Sequence, residues 1–174
     1  MKVKIKKLHK DAVIPFKTYQ SDFCYDVVAV SEEEVAPNVW KYGLGFALQI
    51  ERGSEIVENG LADVDIYGNC YGIVGEQSIN LYNSPLKLSI DIRPRSSIYK
   101  TGMVLSNCEG TIDELYTGEV SAVFYHVMPN MPRYKVGDRI GQIKIGMTFP
   151  ITFIEVEELS KTERGEGGYG STGK

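Results

Sequence analysis

The chain has 174 residues, 43% of them apolar and 24% charged, with a formal net charge of −4. That is one globular domain's worth of chain, long enough to bury a real core. The acidic balance excludes a protein drawn to nucleic acid by a global basic field, so any phosphate-binding function needs locally placed positive charge.

From the N-terminus, Met1 to Lys7 sets Val3 and Ile5 between lysines, with no apolar stretch behind them. This reads as an edge strand and not as a secretion signal. Tyr25 to Val30, Phe46 to Ile50, Leu86 to Ile92, Val120 to Tyr125 and Arg139 to Ile145 read as further strands, punctuated by Gly, Pro and Asn. A short helical turn is expected at Ser31 to Glu34, and no longer stretch carries the helical period. Many short strands with frequent turns predict an all-β sandwich, jelly roll or barrel. No apolar run approaches the roughly 20 residues of a spanning helix, so no membrane is expected. Cys24, Cys70 and Cys108 are odd in number and widely spaced, and only His9 and His126 offer imidazole. A disulfide framework and a structural zinc are therefore not expected, and reduced thiols in a cytoplasm (a host's, for a viral chain) are.

Two segments stand apart. Residues from about Glu51 to Pro85 are rich in Gly and Asn and read as an inserted hairpin or long loop in a domain spanning 1–162. Residues 163–174 carry five glycines and almost no apolar bulk. Such a tail cannot order itself by burial, so it is either a loose end or an arm that orders on a ligand.

Four constellations bear on chemistry. Arg93 to Ser97 follows a strand with arginines and two hydroxyls, which suits phosphate oxygens but equally a polar surface turn. Asn107 to Gly118 is bracketed by Gly110 and Gly118 at hairpin length. Within it Asp113 ends a strand, where a carboxylate can take a proton from water, and Tyr116 can face a sugar; a turn Asp and a packing Tyr are the plainer reading. In Gly137 to Gln142 a hairpin turn leads into a strand. Gln142 could reach a phosphate, whereas Asp138 and Arg139 are expected to pair with each other or with neighbours. Finally, Arg164 to Gly173 combines glycines able to nest anionic oxygens with Arg164, Tyr169, Ser171 and Thr172. Gly168 to Lys174 matches the GxxxxGK pattern by accident, since no helix follows.

Taken together, and in this order, these segments resemble the five motifs of the trimeric dUTPase family: Ser21 to Val27 around Asp26, Pro94 to Ser97, Asn107 to Gly118, Gly137 to Gln142, and Arg164 to Gly173. Tyr42 to Ile50 also resembles the family's stretch between the first two. The resemblance spans almost the whole chain. It implies a β-clip or jelly-roll-like distorted barrel with a flexible Gly-rich C-terminal arm (163–174), assembled as a homotrimer with shared active sites. It further implies hydrolysis of dUTP to dUMP and pyrophosphate with Mg²⁺, which limits uracil in DNA and supplies dUMP for thymidylate synthesis.

Residue by residue, the resemblance makes Asp113 the general base on the water that attacks the α-phosphorus. Tyr116 packs on the deoxyribose and excludes a 2′-hydroxyl. The backbone of Asn107, Gly110, Thr111 and Ile112 reads the uracil edge. Ser96 and Gln142 hold the α and β phosphates, supported by Arg95 and Ser97. Arg164, Ser171 and Thr172 hold the γ end, Gly167 and Gly170 also bind the substrate, and Tyr169 stacks on uracil. Asp26, Asp138 and Arg139 are structural or act from behind the site. Mg²⁺ rides on the triphosphate and its waters, with no direct protein ligand.

The chain departs from the family where Phe23 and Cys24 replace a small pair, where Leu115 replaces a second acid, and in the 51–85 insert. Two other readings are a dCTP deaminase-like relative, which would lack the Gly-rich tail, and a binding or regulatory protein on the same scaffold. In the second, the insert would be the interaction surface.

Overall fold

The computed structural model describes residues 2–51, 63–64, 70–74, 77–80, 87–148 and 151–167. Among these the strands are β1 (Lys2–Lys7), β2 (Tyr25–Val28), β3 (Ser31–Ala36), β4 (Val39–Gly43), β5 (Phe46–Glu51), β6 (Asp63–Val64), β7 (Cys70–Val74), β8 (Gln77–Asn80), β9 (Lys87–Arg93), β10 (Met103–Leu105), β11 (Gly110–Asp113), β12 (Ser121–His126) and β13 (Arg139–Thr148), with one 3-10 turn at Ser96–Lys100. All strand pairs are antiparallel. One sheet runs β11-β9-β13-β2, a second β10-β12-β4-β3, β1 pairs with β5, and β6-β7-β8 form a small sheet of their own within the 51–85 segment. No helix among the described residues is long and apolar enough to cross a membrane. Cys24 and Cys108 are free thiols.

Strand alternation builds the core. In β12, Ala122 and Phe124 turn inward while Tyr125 turns outward; in β9, Ile90 and Ile92 face the core and Ser89 and Asp91 the opposite side. The two four-stranded sheets bury these residues against one another, with Leu48 and Ile50 of β5 joining them. Tyr42, Phe124 and Tyr134 pack edge to face with centroids 5.4–6.3 Å apart, and the Tyr42 hydroxyl donates to the Tyr134 carbonyl at 2.8 Å.

The structure corrects three local expectations. Ser31 to Glu34 is not a helical turn but the start of β3, paired along β4. Three successive glutamates carry no strand propensity; tertiary partners decide the matter. Arg133 bridges both carboxylate oxygens of Glu32 at 2.9 and 3.0 Å and lies 3.5 Å over the Trp40 ring. Glu34 accepts the amide of Asn38, whose φ of 61° closes the β3–β4 turn. The Asn107–Gly118 segment is not a hairpin between paired strands, because β11 joins one sheet and β12 the other. Likewise, the turn at Gly137, with its φ of 92°, delivers the chain into β13, which pairs with β2 and β9 and not with the strand before it.

The Arg133 hydrogen bond holds the Glu32 carboxyl below its ordinary value. A carboxylate lowered in the fold stabilises above its unfolded pKa and loses that contribution as pH falls through the folded one. Glu32→Gln should therefore melt below wild type at pH 7. The two melting curves should converge in acid, as followed by circular dichroism from pH 7 to pH 3. A gap that stays constant with pH would contradict this ion-pair account.

Candidate active site

The sheet β11-β9-β13-β2 has an apolar face in the core and a polar face opposite. Cross-strand register lines up Asp26 with Gln142, Lys144 with Asp91, Asp91 with Thr111, and Ser89 with Asp113. The chemistry-bearing residues of four separate segments thus come to one face, since side chains directly opposite in register share a face.

At one edge, Asp26 is 5% exposed and its carboxylate gathers three donors. Arg139 donates at 3.0 Å, Gln142 at 3.0 Å and Arg95 at 3.2 Å. Arg139 and Gln142 are three residues apart and in a regular strand would point to opposite faces. A bulge between Arg139 and Gly141 absorbs Ile140 and puts both on the side of Asp26. Arg95 leads into the Ser96–Lys100 turn, closed by the Ile98 amide on the Arg95 carbonyl, with Ser96 exposed and Ser97 half-buried. Arg139 also reaches the Thr18 hydroxyl, and Asp138 accepts the Lys135 amide.

At the other edge lies a pocket of about 220 Å³ lined by residues that include Asn107, Gly110, Thr111, Ile112, Asp113 and Tyr116. Among the described residues β11 has a partner strand on one side only, so alternate backbone N–H and C=O groups face outward, able to read a polar edge. Gly110 is required here, because a Cβ would lie 2.4 Å from Ile92. Asp113 is exposed at the strand's end, its carboxylate without a hydrogen-bond or ion-pair partner among the described residues. Behind the pocket, Asp91 is buried. Burial alone would raise its pKa, but the hydrogen bonds from Lys144 (2.9 Å) and Ser89 (2.9 Å), with the Lys144 charge, outweigh it and hold the carboxyl below its ordinary value.

The arm is described only to Gly167. Arg164 donates to the Gly167 carbonyl at 2.8 Å across a turn in which Gly165 takes φ 50°. Tyr169, Gly170, Ser171 and Thr172 lie outside the described residues. Reading the sequence did not single out Glu119 and Ser121, which line the pocket, nor the Asp91–Lys144 pair. Only the proximity of Glu119 to Gly118 hinted at the first. Among the described residues, no three His, Cys, Asp or Glu side chains gather as a metal site.

The dUTPase family model matches residues 72–173. The deoxyuridine 5'-triphosphate nucleotidohydrolase of Nautilia profundicola is 33% identical over 176 residues, covering 100% of both chains. That of Helicobacter pylori (strain P12) is 30% identical, covering 99% of this chain and 97% of the relative. The chain belongs to the dUTPase family. In fold, it resembles a mutant dUTPase of Staphylococcus bacteriophage 80alpha with dUpNHpp, at TM-score 0.67 and 20% identity over 99% of each chain. It also resembles a mutant dUTPase of phage phi11, described with a structural Mg(II) ion, at TM-score 0.59 and 15% identity over 92% of this chain and 100% of that one. The expected β-clip, jelly-roll-like architecture is borne out.

Asp26→Asn removes the charge that two guanidinium groups share. It should cost about 1.5–3 kcal/mol of unfolding free energy, the usual range for a charge-assisted hydrogen bond. Urea unfolding checks this, and an unchanged midpoint would mean that Arg95 and Arg139 are held by something else.

Proposed function

We propose that the chain hydrolyses dUTP to dUMP and pyrophosphate, with Asp113 as the base that takes a proton from the water attacking the α-phosphorus. Membership of the dUTPase family supports the overall reaction. The observation that carries the residue assignment is the pocket itself: a carboxylate without a partner among the described residues stands at the end of the edge strand β11, with Tyr116 on the same wall. The outward backbone groups of β11 would read the uracil edge, rejecting cytosine by its donor pattern and thymine by its methyl. Tyr116 would lie under the deoxyribose and leave no room for a 2′-hydroxyl.

At the phosphate end, Ser96, Ser97 and Gln142 would contact the α and β groups, with Arg95 adding charge from its place beside Asp26. Arg164 and the glycine-rich tail, including Gly167, Tyr169, Gly170, Ser171 and Thr172, would close over the γ end and the base. The donor set suits a magnesium ion carried by the triphosphate and its waters: both oxygens of Asp26 are occupied by cationic and amide donors, and Asp113 stands alone. Bound in that way, the metal would neutralise charge on the departing pyrophosphate. The protein's own share is to hold the water, the sugar and the phosphates in line.

A homotrimer with shared sites is part of this reading. β2 and β11 are opposite edges of one sheet, three strand spacings or about 14 Å apart. The Asp26 cluster and the pocket of a single chain are thus separated, and a second copy would bring one against the other. The described part of the C-terminal segment supports this too. It forms no strand or helix from residue 151 onward, and Ile151, Phe153, Ile154 and Leu159 are more than two-thirds exposed. Such apolar surface calls for cover from another chain.

Asp113→Asn should lower kcat for pyrophosphate release from dUTP by about 10²–10⁴-fold, the usual contribution of a general base, with KM little changed. Turnover of dUTP but not of dCTP, dTTP or UTP is expected from wild type. Ammonia release from dCTP would instead identify a deaminase. For the shared site, Asp113→Asn and Arg164→Ala subunits, each nearly inactive alone, should regain activity when unfolded together and refolded as a mixture. No recovery, with mixed oligomers verified by mass, would place each site within one chain.

A further inference from the structure

We propose that Glu119 is a positioning residue for sugar selection, fixing the Tyr116 ring against the wall of the pocket by tying the loop after β11 to the turn at Gly45. The proposal rests on Tyr116 being the side chain that meets the sugar.

Two hydrogen bonds form the chain of contacts. The Tyr116 hydroxyl donates to the Glu119 carbonyl at 3.1 Å, and Glu119 Oε1 accepts the Gly45 amide at 2.9 Å. Glycines clear the space around both. A Cβ on Gly118 would stand 2.5 Å from Tyr116 Oη and 2.6 Å from Cζ, so the ring lies directly on the Gly118 backbone. A Cβ on Gly43 would stand 2.6 Å from Glu119 Oε1. Gly45 takes φ +69°, a conformation that L side chains rarely adopt. Glu119 lines the same pocket as Asp113 and Tyr116.

The physical need follows from exposure. Tyr116 is 49% exposed, and a free side chain on that surface would change rotamer on the picosecond-to-nanosecond scale. Excluding a single hydroxyl demands a wall placed to within a fraction of its radius. A ring fixed at its hydroxyl and lying on a glycine meets that demand; a ring fixed at neither does not. Glu119 holds the carbonyl that holds the hydroxyl.

The test compares kcat/KM for dUTP and UTP in wild type, Glu119→Ala, Glu119→Gln and Tyr116→Phe, alongside the NMR relaxation of the Tyr116 ring. Glu119→Ala should narrow the dUTP/UTP ratio by about two- to tenfold, the equivalent of one hydrogen bond, and loosen the ring. Glu119→Gln keeps an acceptor for Gly45 and should restore both. Tyr116→Phe, which disturbs nothing in the core, should narrow the ratio by itself. The proposal is overturned if Glu119→Ala lowers both substrates equally with the ring still ordered, or if Tyr116→Phe keeps the full ratio. Wild type that turns over neither nucleotide would sink the dUTPase reading and the sugar role with it. Ring relaxation would still decide whether Glu119 holds Tyr116.

Discussion

A buried carboxylate must find its compensation inside the fold, and the rest of this structure is arranged around one that does. Asp26 is almost wholly removed from water, in a strand that Phe16 flanks by backbone bonds on one side and β13 on the other. Left alone, such a charge would carry a large uncompensated desolvation cost. Three donors, Arg95, Arg139 and Gln142, supply the compensation from two distant segments. To supply it, β13 must bulge and the Arg95 turn must fold back across the sheet. In the dUTPase reading, the same requirement gives Asp26 its role behind the site: it holds the phosphate-facing donors in place without touching the reacting atoms.

The polar face of the sheet extends this arrangement across to the other edge. Asp91 repeats the device on β9, with Lys144 as counter-charge and the Ser89 hydroxyl as a second donor. Engaging these groups with one another leaves Asp113 as the carboxylate at the pocket without a partner among the described residues. The base of the proposed reaction would need that freedom, since a carboxylate already accepting strong hydrogen bonds is a poor acceptor for a proton. The pocket wall is equally economical. A one-sided edge strand offers backbone groups that no side chain has to be recruited to provide, and edge strands are otherwise a hazard unless something covers them.

The opposite-edge placement of the two clusters links the chemistry to assembly. In the proposed function, a chain with a base-reading pocket on β11 and a phosphate-end cluster on β2 would hold the halves of one substrate site at opposite edges of its sheet. Closed symmetry resolves such a separation, because each copy can lend one edge and borrow the other. In the same proposal, the exposed apolar residues after β13 would be covered by another copy.

Much of this was legible in the residues. Period-two alternation marked β1, β9, β12 and β13, and the order of five short motifs carried the family. Asp113 and Tyr116 could be picked out because their chemistry is local to a segment of a dozen residues. The long-range pairings were not legible. Whether Glu32 to Glu34 forms a strand depends on Arg133, roughly a hundred residues away in sequence. That β11 and β12 part into separate sheets depends on what else each sheet needs to pair. That Arg139 and Gln142 face the same carboxylate depends on a bulge with no signature of its own. The sequence by itself determined the strand periods, the turn chemistry and the residue types at the site, because those follow from side chains and neighbours within a few positions. Only the tertiary structure decided which carboxylates near the pocket are compensated and that Asp113 is without a partner among the described residues, because that balance is struck between charges far apart in the chain and adjacent in space.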